Sequence, residues 1–163
     1  MSQPPILVDT NIVSYIYEAS ELGLRYDLLL ERYSRFGSPV TLAELHYGAY
    51  WRNWGANRWR RLNEVLGQLQ WLPLTFEVAR LASHLAAKRR HGGSPVKWAD
   101  TYIAATALIN GLPLMTHDRD FADFDGLEVV TELPDFRVSE KTTDFYGRPL
   151  APSRPLSTAL RSH

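Results

Sequence analysis

The sequence predicts an α/β fold in which a central, mostly parallel sheet is flanked by helices. Two observations carry the prediction. Short apolar runs alternate with longer stretches whose apolar residues recur at helical spacing, from residue 6 to about residue 131. The chain has 163 residues, 45% of them hydrophobic, which suits one domain with a real core.

The elements follow in order. Ile6-Leu7-Val8 reads as a strand, and residues 12–17 as a short helix. Leu22, Tyr26, Leu29, Leu30 and Tyr33 recur at helical spacing and predict an amphipathic helix over 22–33. Gly37-Ser38-Pro39 breaks the chain, and Val40 is assigned to a short strand. Helices are predicted at 42–51, 57–69 and 76–90, the second with Trp59, Leu62, Val65, Leu66 and Leu69 on one face. Residues 71–74, interrupted by Pro73, form a short strand or connector. Gly92-Gly93-Ser94-Pro95 is a loop, after which helix resumes at Trp98 and stops near Asn110-Gly111. Leu114-Met115-Thr116 is a strand, residues 117–121 a short helix or loop, and residues 127–131 the last strand. Residues 1–136 are expected to form the domain. Residues 137–163, with Pro149, Pro152 and Pro155 and no period, are expected to be a tail and not a second domain.

Composition excludes several classes. A formal net charge of zero argues against a protein that coats nucleic acid by bulk basicity. Two basic patches remain: Arg52, Arg58, Arg60 and Arg61 interleaved with Trp51, Trp54 and Trp59, and the run Lys88-Arg89-Arg90-His91. The absence of cysteine excludes a disulfide scaffold and thiolate metal ligands. No apolar run is long enough to span a bilayer and no signal peptide is evident, so a cytoplasmic protein with no membrane contact is expected.

Four acids stand at punctuation points. Asp9 ends the first strand, Glu44 and Asp100 open helical stretches, and Asp118 follows the run Leu114-Met115-Thr116. Each has an ordinary reading. Asp9 and Asp118 suit helix caps, Thr41 and Glu44 fit a capping box, and Asp100 complements a helix dipole. Together they suggest more, because strand ends and helix starts are where an α/β sheet places its ligand site. Four carboxylates gathered there repel unless a divalent cation neutralises them. Mg2+ or Mn2+ on carboxylate oxygens activates water and offsets charge at a phosphodiester, so no serine, cysteine or histidine nucleophile is required.

Four segments also carry a family resemblance. Leu7-Val8-Asp9-Thr10-Asn11-Ile12, then Thr41-Leu42-Ala43-Glu44-Leu45 with Gly48, then Asp100 with Ile103-Ala104-Ala105-Thr106-Ala107, then Leu114-Met115-Thr116-His117-Asp118 with Asp120-Phe121, resemble the PIN-domain ribonucleases. Among those, the pattern is similar to the VapC toxins of bacterial type II toxin–antitoxin modules. The resemblance covers residues 6 to about 131. It implies a PIN-like three-layer fold and a Mg2+-dependent (Mn2+ possible) endoribonuclease acting on RNA. It also implies a homodimer and a cognate antitoxin that blocks the site. By position, Asp9, Glu44, Asp100 and Asp118 match the acidic quartet that is both catalytic and metal-binding. Thr10, Asn11 and Thr116 match small polar supports. The tail beyond Pro134 is longer than the family pattern needs.

Other residues have competing readings. Asp120 is either an alternative fourth ligand or a solvated acid, with Asp118 preferred for its place nearer the strand end. His117 and Arg119 read as exposed loop residues, Lys97 as solvated, and His46 as structural. Residues 51–61 offer an antitoxin interface, an RNA-stacking surface, or a helix pair with tryptophans inward and arginines outward. A PIN-like binding module without useful catalysis is the alternative function. EDTA-sensitive RNA cleavage separates the two. A phosphatase of the haloacid dehalogenase type is disfavoured because Asn11 stands where a second Asp is needed.

Overall fold

The computed structural model describes residues 2–136. The predicted tail over 137–163 lies outside the described residues. Five strands form one wholly parallel sheet in the order β3-β2-β1-β4-β5, comprising β1 (Pro5–Val8), β2 (Ser34–Gly37), β3 (Gln70–Trp71), β4 (Leu114–Met115) and β5 (Val129–Val130). The chain leaves β1 in one direction through β2 and β3, then crosses back to β4 and β5 on the other side. The gap between the carboxyl ends of β1 and β4 is therefore the topological switch point, where such sheets bind ligands.

Helices cover both faces, as alternation along β1 requires. Ile6 and Val8 face a core shared with Ile12 and Val13 of α1 (Thr10–Glu18), Tyr26 and Leu30 of α2 (Glu21–Leu30), and Leu62 and Leu66 of α4 (Ala56–Leu66). Leu7 faces the opposite core, built with Val78, Leu81 and Leu85 of α5 (Phe76–His91) and Ile103, Ala104 and Ala107 of α6 (Trp98–Asn110). The β4 register repeats the pattern, pairing Leu7 with Leu114 on one face and Val8 with Met115 on the other. These buried aliphatic side chains supply the main driving force for the sheet, on the order of 1.5–3 kcal/mol each.

The predicted helices are present, but the segment between residues 31 and 41 is corrected. The amphipathic helix ends at Leu30, not Tyr33, and β2 follows at Ser34–Gly37. Val40 lies in a helix, not a strand. Ser38 caps α3 (Pro39–Trp51) by accepting from the Val40 amide at 3.2 Å, with Pro39 at the first helical position. Proline is favoured there because its missing N–H is one the helix would leave unpaired anyway. The capping box over Thr41 and Glu44 is likewise corrected: both lie inside α3, and Thr41 is fully buried. α1 and α2 approach so closely that a Cβ on Gly23 would sit 2.0 Å from the Tyr15 carbonyl oxygen, which only glycine permits. Among the described residues, no helix is long and apolar enough to cross a membrane.

Candidate functional site

The end of β1 delivers Asp9 into the switch point, where it is 4% exposed. Its Oδ1 accepts from the Thr10 amide at 2.7 Å, so it does cap α1. Its Oδ2 accepts from the Thr116 hydroxyl at 2.7 Å, across the gap between β1 and β4. Burial pushes the Asp9 carboxyl up to about 7, against the pull of those two bonds, and the charges of Asp100 and Glu44 push it further. Serine, threonine or asparagine would cap the helix without burying a charge, so capping does not explain a carboxylate at this position.

Thr116 ties the loop together. Its hydroxyl also accepts from the Asp118 amide at 3.1 Å, and Asn11 Nδ2 lies 3.5 Å away. Asn11 Oδ1 accepts from the His117 amide at 3.4 Å. Asp118 then caps a 3-10 turn (Arg119–Asp123) by accepting from the Asp120 amide at 2.9 Å. Thr10 and Thr116 thus hold the acids directly, and Asn11 holds Thr116 and the loop after it.

Asp100 sits in the first turn of α6 and meets Asp118 and Asp120, each offering a carboxylate oxygen within 4.8 Å of the others. Burial, then the charge of Asp118, raises Asp100 to about 6, with Lys97 opposing and Glu44 and Asp120 adding to the rise. Asp118 and Asp120 therefore stand together beside Asp100. Lys97, read from sequence as solvated, pairs with Asp120, whose carboxylate raises the lysine's own pKa. Glu44 is exposed on α3, and its Oε2 accepts from the Thr10 hydroxyl at 2.5 Å. Thr41 Oγ1 lies 3.1 Å from the same hydroxyl. The fold thus gathers Asp100, Asp118 and Asp120 tightly, with Asp9 beneath them and Glu44 at the Thr10 side.

No local pattern announces the Tyr26 contacts. The Tyr26 hydroxyl is buried, 2.7 Å from His117 Nδ1, and accepts from the Glu132 amide at 3.0 Å. His117 is accordingly half-buried against Tyr26 and Tyr15, not an exposed loop residue, and burial lowers its pKa. These contacts join residues about ninety positions apart, which no local pattern reveals. Arg119 is exposed, and donates to the Pro134 carbonyl at 2.9 Å.

The 51–61 segment divides. Trp54 and Trp59 pack against the core, with His46 edge-on to Trp59, whereas Trp51 is 73% exposed. Arg52, Arg58, Arg60 and Arg61 all face solvent.

The donor set fits a hard divalent cation: it is all carboxylate oxygen, crowded, and strained toward protonation without one.

Comparison with known proteins agrees with this geometry. The PIN domain family model matches residues 6–127. Ribonuclease VapC5 of Mycobacterium tuberculosis is 33% identical over 113 residues, covering 68% of this chain and 84% of that protein. VapC ribonuclease Y4jK of Sinorhizobium fredii is 27% identical over 135 residues, covering 77% of this chain and 95% of that protein. Among solved structures, DNA-bound VapBC from Salmonella typhimurium superposes with a TM-score of 0.62 at 28% identity, covering 78% of this chain and 98% of that one. With the family model spanning most of the chain and the acids gathered at the sheet's switch point, the chain belongs to the PIN-domain family, as a VapC-type member.

Proposed function

We propose that this chain is the endoribonuclease toxin of a type II toxin–antitoxin pair. On this reading it acts in the cytoplasm, cutting RNA phosphodiester bonds. Asp9, Glu44, Asp100 and Asp118 are its catalytic, metal-holding residues, with Asp120 beside them, and Mg2+ or Mn2+ is the ion. The observation that carries the reading is the gathering of acids at the switch point, where burial first and neighbouring carboxylates second raise Asp9 to about 7 and Asp100 to about 6. The names of the VapC relatives, both ribonucleases, support the reaction class. When bound, a divalent cation supplies charge neutralisation at the phosphodiester and lowers the pKa of water.

The protein's own groups prepare the site. The Thr116 hydroxyl and Thr10 amide fix the Asp9 carboxylate, one on each oxygen. The Thr10 hydroxyl orients Glu44. Lys97 balances Asp120, so the cluster is not uniformly negative. A protein partner fits the surface too: Tyr47, Tyr50 and Trp51 on α3 are all about two-thirds exposed or more, a concentration of aromatic area that a second copy or an antitoxin would cover. The VapBC complex from Salmonella typhimurium supports an antitoxin partner, and a homodimer is part of the same proposal.

The test is expression in a bacterial host. Induction of the intact chain should arrest growth with loss of intact RNA, and Asp100→Asn should not. Co-expression of the small reading frame neighbouring the gene should relieve the arrest. Unaffected growth and intact RNA after induction of soluble protein would overturn the proposal.

A further inference from the structure

We propose that the cleft between α1, α3 and α4 is a substrate subsite, holding the RNA strand on one side of the scissile bond with Arg52 and Arg58 as its phosphate contacts. This rests on the ribonuclease reading above. The cleft has a volume of about 300 Å³ and is lined by Thr10 and Glu44 as well as by Arg52, Trp54 and Arg58. Thr10 and Glu44 share a 2.5 Å hydrogen bond and support the acid cluster, so the cleft opens directly off it. A strand whose scissile phosphate meets the acids must continue over adjoining surface, and this cleft is an adjoining concavity with cationic walls.

Among the described residues, neither arginine is paired with a carboxylate. Arg52 spends one long contact, 3.4 Å, on the Gly48 carbonyl of its own helix. Arg58 donates no side-chain hydrogen bond and meets no carboxylate among the described residues. Instead its guanidinium lies 5.9 Å from the Trp54 ring centroid. Trp54 stacks on Tyr17 at 4.8 Å and 15°, and Arg61 lies 5.2 Å over Tyr17. Cation–π contact restrains a guanidinium without neutralising it or consuming its N–H donors. The planar fork then suits a phosphate, and the cation–ring pile suits an unpaired base.

A second cleft, between α5 and the 3-10 turn, shows the contrast. Its cations Lys88 and Arg89 are committed to Asp125 and Asp123. In the first cleft the opposing charges are Glu44, held by the Thr10 hydroxyl, and Glu18.

The experiment compares the intact chain with an Arg52→Gln/Arg58→Gln variant for binding a short labelled single-stranded RNA of random sequence, at several KCl concentrations with Ca2+ as the divalent ion. Each phosphate contact contributes about 0.7 to the salt slope of single-strand binding, so losing two should flatten it by about 1.4 and weaken binding roughly tenfold at low salt. Both arginines are exposed, so circular dichroism should be unchanged. Arg58→Lys should keep its share of the salt slope while losing part of the affinity. Unchanged affinity and slope in the double variant would overturn the subsite and leave the ribonuclease reading standing if the unaltered chain still cuts RNA. An unaltered chain that neither binds nor cuts RNA would overturn both. Loss of binding to the neighbouring gene's product alone, with RNA binding unchanged, would make the cleft a protein interface and overturn the subsite.

Discussion

Asp9→Asn should change how the metal-free protein responds to pH, and the size of the change follows from the site. Asp9 is almost wholly buried, and its carboxyl titrates at about 7 in place of 3.8. Because the folded value is raised, the folded state binds a proton that the unfolded chain has released. The stabilisation is full below the unfolded value of 3.8 and is lost as pH climbs through about 7. Integrated between about pH 5 and about pH 8, that loss is roughly 2–3 kcal/mol. Asparagine keeps the shape and much of the hydrogen bonding but cannot ionise, so the variant lacks this loss. Asp100, which contributes in the same direction, and His117, whose lowered pKa contributes in the opposite one, are present in both proteins. The difference between the two proteins therefore isolates Asp9. The assay is urea denaturation in EDTA, followed by tryptophan fluorescence, at both pH values. Equal pH dependence in the two proteins would refute the reasoning, since Asp9 would then titrate as an ordinary exposed carboxyl.

Three further outcomes are expected. Mn2+ at a hundredfold excess over its Kd should stabilise the unaltered chain by about 2.7 kcal/mol, read as a rise in Tm, and should stabilise Asp100→Asn much less; equal shifts would mean that the ion binds elsewhere. Tyr26→Phe removes the partner of the Glu132 amide and of His117 Nδ1, at about 1–3 kcal/mol for each group left unpaired. Urea denaturation should show a loss of roughly 2–4 kcal/mol, and a loss below about 0.5 kcal/mol would show that water replaces the hydroxyl. A chain ending at Phe136 should keep its circular dichroism spectrum and melt near the full-length protein, because the family match ends at residue 127 and residues up to Phe136 already build both cores; aggregation or a large drop in Tm would make the remaining residues part of the domain.

What could be read from the sequence was what local pattern encodes. The layered fold followed from the alternation of apolar runs and helical periods, and β1 and β4 announce themselves as Ile6-Leu7-Val8 and Leu114-Met115. β2 does not. Ser34-Arg35-Phe36-Gly37 has one apolar side chain beyond glycine, and it is a strand because β1 and β3 pair with it on both sides. Pairing from neighbours overrides weak local preference. Pro39 misled for a related reason: read as a breaker, it begins a helix once Ser38 supplies the cap. In the site, Asp9, Asp100 and Asp118 stand out by their place at element ends. The place of Asp120 beside them depends on how the 3-10 turn, foreseen only as a short helix or loop after Thr116, packs against α6, and on the pairing with Lys97, which has no sequence signature. The hydroxyl pair of Thr10 and Thr41 and the Tyr26 contacts are products of packing, invisible until the elements are assembled.

The acids at the β1–β4 switch point are proposed to make a metal-dependent ribonuclease. The most direct measurement is RNA cleavage by the purified intact chain as Mn2+ or Mg2+ is titrated in, beside Asp9→Asn and Asp100→Asn, each shown by circular dichroism to be folded. Cleavage should rise with the ion, disappear with excess EDTA, and be lost in both variants. Cleavage that persists in EDTA, or proceeds at an undiminished rate in either folded variant, would contradict the proposal.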